Sequence, residues 1–329
     1  MIATLSRGNS YRPQWSARLK TLGAPSIASI AVALLVFIMA SSSAGAQQSF
    51  KTAEEAADAL VNAAKSGHRK DIVTLLGPDG ASIASSGDEV EDAATRKRFI
   101  DAYDVKHQIN MEGDHKAVLV IGDQDWPFPI PIVRKGDSWR FDTAAGRDEI
   151  LARRIGRDEL AAMQTALAYV DAQNDYADVT RARTGTAAYA QRIVSLPGKK
   201  DGLYWPTEPG ESPSPLGELV ASAAAKGYQA GGGRAPFHGY YYKILTRQGS
   251  AAPGGAYDYI VRGKMIGGFA LVAYPAVYRN SGVMTFLVNH EGTVFQKDLG
   301  PQTTEIAERM TSFNPDDTWK KVTVEAPDQ

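Results

Sequence analysis

Five histidines (at 68, 107, 115, 238 and 290) and no cysteine set the chemical repertoire of this chain. Without cysteine there is no disulfide scaffold, no thiol nucleophile, no iron–sulfur centre and no cysteine-ligated zinc. No two histidines stand in a His-x-x-x-His pair, so the zincin helix is absent as well. Gly80-Ala81-Ser82-Ile83-Ala84 ends in Ala where a nucleophile elbow closes on Gly, which gives a serine hydrolase little support. Asp123-Gln124-Asp125 and Asp316-Asp317 offer carboxylates to Ca²⁺, but each lacks the further spaced ligands of a binding loop and reads as a turn. No metal and no cofactor are therefore expected.

Two constellations remain. Arg153, Arg154 and Arg157 adjoin Asp158 and Glu159. Arginine forks grip carboxylates and phosphates in two places at once, which makes this a possible anion clamp. Acidic neighbours within helical reach favour the other reading, a salt-bridge network on a helix joining two halves of the chain. The second constellation is aromatic: Tyr204 and Trp205 in one loop, then His238, Tyr240 and Tyr242, which share one face if 238–242 is a strand. Such rings suit a glycan or peptide ligand and equally suit a tyrosine-rich core. In an enzyme His238 is the first choice of general base, because its ordinary pKa lies near neutrality. A carboxylate within hydrogen-bond reach of it in an open pocket is the feature that would mark catalysis.

These residues must be positioned by two α+β units. In residues 47–145, Thr52 and Glu55 make a capping box ahead of Ala56, Leu60 and Ala63. A short helix over 68–76 stops at Gly77-Pro78, and Asp88 with Glu91 caps a third. Strands are expected over 117–121, 127–133 and 138–141. In the middle one, Pro127, Pro129 and Pro131 remove three donors from a single strand edge, so it must lie at a sheet edge or be bulged rather than take a regular central position, with Phe128 and Ile130 turned inward. Residues 146–329 open on a long helix over 146–177, striped by Leu160, Met163, Leu167 and Val170 and interrupted by Gly156. Loops around one helix follow over 195–237, including Gly231-Gly232-Gly233. Strands are then expected over 240–246, 257–261, 268–274, 283–288 and 293–296, with a hairpin at 289–292 and a closing helix over 301–310. The fold class is α+β, two domains, each with helices on an antiparallel sheet.

Residues 1–46 read as a secretory signal peptide: Arg7, Arg12, Arg18 and Lys20, an apolar run from Ile27 to Ala40, and Ala44-Gly45-Ala46 before Gln47. The run is short of the roughly 20 residues that span a bilayer, so no stable span is expected after cleavage. Retention of the segment as an anchor is the alternative. The 329 residues carry 36 basic and 37 acidic side chains, and cleavage removes four basic and no acidic ones, leaving a net charge of −5. That acidic balance excludes nucleic acid as a natural partner. The expected location is the periplasm or the exterior.

Gly122-Asp123-Gln124-Asp125-Trp126-Pro127-Phe128-Pro129, Arg153-Arg154-Ile155-Gly156-Arg157-Asp158-Glu159-Leu160, Pro236-Phe237-His238-Gly239-Tyr240-Tyr241 and Gly282-Val283-Met284-Thr285-Phe286-Leu287-Val288-Asn289 together resemble a bacterial exported family, domain of unknown function 2950. The resemblance runs from about residue 50 to 324. It implies an exported protein and supplies no catalytic residues. The C-terminal half is also similar to pilin and pseudopilin heads, without their long apolar stalk, and the N-terminal unit is compatible with a cystatin or nuclear-transport-factor-like fold. Neither likeness licenses a function. The expected role is a non-catalytic binding protein that meets another envelope component, protein or glycan. The alternatives are a periplasmic hydrolase of peptide or glycan and a pilin-like assembly subunit.

Overall fold

A computed structural model describes residues 47–229 and 235–322. Residues 1–46, where a signal peptide is expected, and the Gly231–Gly233 run lie outside the described residues. The rest is α+β, as the alternation of helical and strand patterns implies, and its described residues fall within one compact unit.

Helix α1 (Ala53–Ser66) starts where the capping box places it, with the Thr52 hydroxyl accepting from the Glu55 amide, and ends on Gly67 in the left-handed region. Helices α2 (Arg69–Leu76), α3 (Gly80–Ala84) and α4 (Glu89–Val105) follow, α4 capped by the Asp88 carboxylate. They lie with an antiparallel sheet of β1 (His107–Met111), β2 (Lys116–Ile121), β4 (Ile132–Lys135) and β5 (Ser138–Phe141), onto which β3 (Trp126–Pro127) adds by pairing with β2. The proline-rich run is broken, as its missing donors demand. Trp126 and Pro127 pair with Ile121 and Val120, the ladder lapses, and pairing resumes at Ile132. Ile130 in the gap is fully buried. After the gap β4 is a regular inner strand between β2 and β5, so the exclusion from a central position holds only as far as Pro131, beyond which Ile132 and Val133 are paired on both sides.

Helix α5 (Thr143–Thr184) is one uninterrupted 42-residue helix, so Gly156 does not divide it. At 1.5 Å per residue it is about 63 Å long, enough to serve two cores in succession. Its packed stripe is Ala162, Ala166, Tyr169, Gln173, Tyr176 and Thr180, all buried, whereas Leu160 is exposed. Small alanines let the helix approach the sheet more closely than the expected leucine stripe would. Met163 and Leu167 pack at its margin.

The second core lies between α5 and the antiparallel sheet β15 (Lys320–Val322), β13 (Val294–Asp298), β12 (Met284–Asn289), β11 (Ala270–Pro275) and β6 (Tyr240–Leu245), in that order. The expected 257–261 strand is split into β8 (Tyr257–Asp258), which joins a small sheet with β7 (Arg247–Gln248) and β14 (Ser312–Phe313), and β9 (Ile260–Val261), which pairs with β10 (Lys264–Met265). The described residues thus hold two hydrophobic cores, one on each side of the expected 145/146 boundary. Among the described residues no helix is long and apolar enough to cross a membrane.

Two glycines of α5 make opposite predictions. A Cβ on Gly146 would lie 2.3 Å from the Pro129 carbonyl oxygen and 2.7 Å from Ile130 Cα, while one on Gly156 would meet nothing within 4 Å. Gly146→Ala is expected to cost about 1–3 kcal/mol through overpacking against backbone. Gly156→Ala is expected to stabilise by roughly 0.5–1 kcal/mol, the ordinary gain in a helix interior. Urea midpoints of the two variants check the signs.

Candidate functional site

Three separated stretches meet around Asp158 on α5. Gly239 belongs to the turn before β6, Asn280 and Ser281 to the turn before β12, and Asp88 and Glu91 to the start of α4. The Asp88 carboxylate caps α4 through the Glu91 amide and accepts from the Tyr228 hydroxyl (2.8 Å) and the Gly239 amide (2.9 Å). Glu159 accepts from the amides of Val283 and Met284, both at 2.9 Å. Arg154 donates to the carbonyls of Ser82 (2.8 Å) and Ile83 (2.7 Å) and to the Asn280 side chain. It is buried, and burial holds its pKa below the ordinary arginine value.

Asp158 is 1% exposed. One oxygen receives Arg157 at 3.1 Å, while the other, Oδ2, has no hydrogen-bond partner. Burial pushes its carboxyl up to about 7, outweighing the nearby guanidinium, which is itself half in water. The three arginines therefore act separately. Arg154 braces backbone, Arg157 faces Asp158 and Glu91, and Arg153 pairs with Glu149 and lies 5.6 Å over the Trp126 ring.

The aromatic constellation does not assemble as a strand face. Phe237 and Tyr240 exchange both backbone hydrogen bonds across His238-Gly239, whose φ values are 50° and 72°. Two positive φ values make a type I′ turn, so His238 sits at a hairpin tip rather than beside Tyr240 and Tyr242. Its Nδ1 stands 3.9 Å from the Glu91 carboxylate, outside hydrogen-bond reach. The ring is half-buried against Tyr228 and Phe237, and burial lowers its pKa. Tyr240 is fully buried beneath Gly282 with its hydroxyl on the Met284 carbonyl, and Trp205 is buried edge-on to Tyr176. Both are core residues and offer no ring to a ligand. Tyr204 is half-buried, with its backbone bridged to Val194. Of the five, only Tyr242 lines a large cleft, a groove of about 810 Å³ between β6 and helix α6 (Gly217–Ala225).

A second cleft, of about 580 Å³, opens in the N-terminal half. Its floor is apolar, with Ile83, Phe99, Ile121, Phe128 and Ile150. Five arginines (69, 96, 98, 154 and 157) line it against two aspartates, 92 and 123. Helix α4 explains the opening: Asp92, Thr95, Arg96, Phe99 and Ala102 recur at helical intervals and all face the cleft. Only Glu91 and Tyr103 of its 17 residues are buried, while Phe99, Ile100 and Ala102 pack at the margin of the N-terminal core, so α4 covers that core only in part and leaves the cleft beside it. Trp126 stands at the margin with Arg153 over its ring. Arg154 and Arg157 were legible as candidates. The rest of the lining was missed, because Phe99 and Phe128 are apolar residues at core-like spacing and nothing local says that they are only partly covered.

Residues 47–322 match the family described as protein of unknown function, DUF2950. The chain belongs to that family. No curated protein and no solved structure matches it.

In this DUF2950 protein the four quoted runs fall together in space. The first two border the arginine-lined cleft, and the second, third and fourth meet around Asp158. No group of three or more acidic or histidine side chains that could hold a metal ion occurs among the described residues. The cleft offers an apolar surface for a ligand body and guanidinium groups for a negative charge. The Asp158 junction offers rigid support behind them.

Proposed function

We propose that this DUF2950 protein is exported and works outside the cytoplasm as a non-catalytic binding protein, holding a component of the cell envelope in the arginine-lined cleft. The observation that carries the reading is the incomplete packing of α4 on the N-terminal core, which leaves an apolar floor open at a volume within the roughly 300–1,000 Å³ of small-molecule sites. Export rests on the basic start, apolar run and Ala-Gly-Ala end of residues 1–46. The distance between His238 and Glu91 favours binding over a histidine-based hydrolase.

Native mass spectrometry of protein released from the periplasm without detergent tests this. The expected spectrum shows a chain beginning at Gln47 carrying a small-molecule adduct that solvent extraction removes. A chain beginning at Met1 and confined to the cytoplasm would overturn the reading. So would turnover of peptide or glycan that disappears in His238→Ala.

A further inference from the structure

We infer that the ligand of this cleft is a single-chain anionic amphiphile: an apolar body lying on Phe99, Phe128 and Ile150, with a carboxylate or phosphate head at the arginine edge. This deepens the binding reading and rests on it.

Charge decides the class. The exported chain carries a net charge of −5, yet this lining has five arginines and two aspartates. Asp92 is already committed, both of its oxygens accepting from the Ser86 amide at 3.0 Å. The arginines differ in what occupies them. Arg154 is spent on carbonyls and Asn280, Arg157 on Asp158, and Arg98 on Glu91 at 2.8 Å and Thr95 at 2.9 Å. Arg96 has no hydrogen bond or ion pair among the described residues, although it is half-buried and one helical turn from Phe99. A guanidinium held next to an apolar wall without a counter-charge is the group that an incoming anion would satisfy, because its fork matches a carboxylate or phosphate in two places. Arg69 enters from α2, and among the described residues its one hydrogen bond is a long 3.5 Å contact to the Ala81 carbonyl.

The apolar side sets the other half of the ligand. Phe99 and Phe128 stand 5.6 Å apart, and Trp126 meets Phe128 edge-on at 6.2 Å, so an aromatic corner leads from the interior to the cleft margin. Burying an alkyl chain there gains about 0.8 kcal/mol for each methylene removed from water. A neutral polar ligand such as a glycan would leave this surface unused, and a small inorganic anion would leave it wet.

Competition against a fluorescent anilinonaphthalene sulfonate reads the assignment on purified protein. Dodecanoate and monododecyl phosphate are expected to displace the probe at concentrations at least tenfold below those needed for dodecanol or dodecyltrimethylammonium. In Arg96→Glu the advantage of dodecanoate over dodecanol should disappear while dodecanol itself binds as before, a pattern that loss of folding cannot produce. Lys97→Glu, on the same helix but paired with Asp101 outside the cleft, should change neither. Equal displacement by neutral and anionic chains overturns the ligand class and leaves the binding reading standing. Displacement by none of them overturns both. Binding to phosphatidylglycerol vesicles in place of the monomeric amphiphiles identifies a membrane surface as the source of the anion and overturns the single-chain assignment.

Discussion

Arg154→Met is expected to lower stability by about 3–5 kcal/mol, since each buried acceptor left without its donor costs roughly 1–3 kcal/mol. The guanidinium joins the carbonyls of Ser82 and Ile83, at the end of α3, to Asn280 beside the second sheet, and the Asn280 amide in turn donates to the Ser85 carbonyl at 2.7 Å. Methionine fills much of the volume but leaves three acceptors without their donor, and bonds to a charged donor contribute roughly 1.5–3 kcal/mol each. Arg154→Lys keeps the charge and loses the fork, so it should recover only part of the loss. Arg153→Ala is the contrast. Its partner Glu149 is half-exposed like itself, and such pairs contribute about 0.2–1 kcal/mol. Urea unfolding of the three variants gives the ranking. A methionine variant within 0.5 kcal/mol of the parent would mean that water in the adjoining cleft replaces the guanidinium at no cost.

The arginine run also shows how far sequence reasoning reaches here. Arg153, Arg154 and Arg157 are legible as helical, because helix periodicity is a local property, whereas the carbonyls of Ser82 and Ile83 that Arg154 reaches are not. The capping of α1 by Thr52 and of α4 by Asp88 is legible for the same reason. Asp88 hid its larger role, since acceptance from Tyr228 and Gly239 depends on chain segments 140 and 151 residues away. His238 was misplaced by treating 238–242 as one strand, although a residue followed by Gly ahead of a tyrosine-rich strand is also a two-residue turn signal. The five prominent rings drew attention because aromatic residues are conspicuous in sequence, yet burial of Trp205 and Tyr240 is set by α5 and β12, which no local pattern announces. The cleft was the least legible feature. It exists because the face of α4 carrying Asp92, Thr95 and Arg96 beside Phe99 is too polar to pack fully, and a partly covered aromatic looks like any core residue until its neighbours are in place.

Asp158 makes the sharpest pH prediction. At pH below its ordinary value of 3.8, the carboxyl is protonated in both the folded and the unfolded chain. Between about 4 and 7 the folded chain keeps a proton that the unfolded chain has lost, so stability falls as pH rises, by up to ~1.4 kcal/mol per pH unit. Above about 7 both states are ionised and the contribution is flat. The whole window amounts to something on the order of 4 kcal/mol. Arg157 cannot cancel it, because its side chain is 45% exposed and shares its charge with water, whereas Asp158 Oδ2 faces Gly239 and has no hydrogen-bond partner. Asp158→Asn removes the titration while keeping the shape. Its amide adds a pH-independent offset, so the informative quantity is the change in the variant-minus-parent difference across pH. That difference should move in favour of the asparagine variant by several kcal/mol between pH 4.5 and 8, read from urea midpoints at each pH. A difference that stays constant over that range would mean that the buried carboxylate is ionised throughout and that Arg157 satisfies it fully.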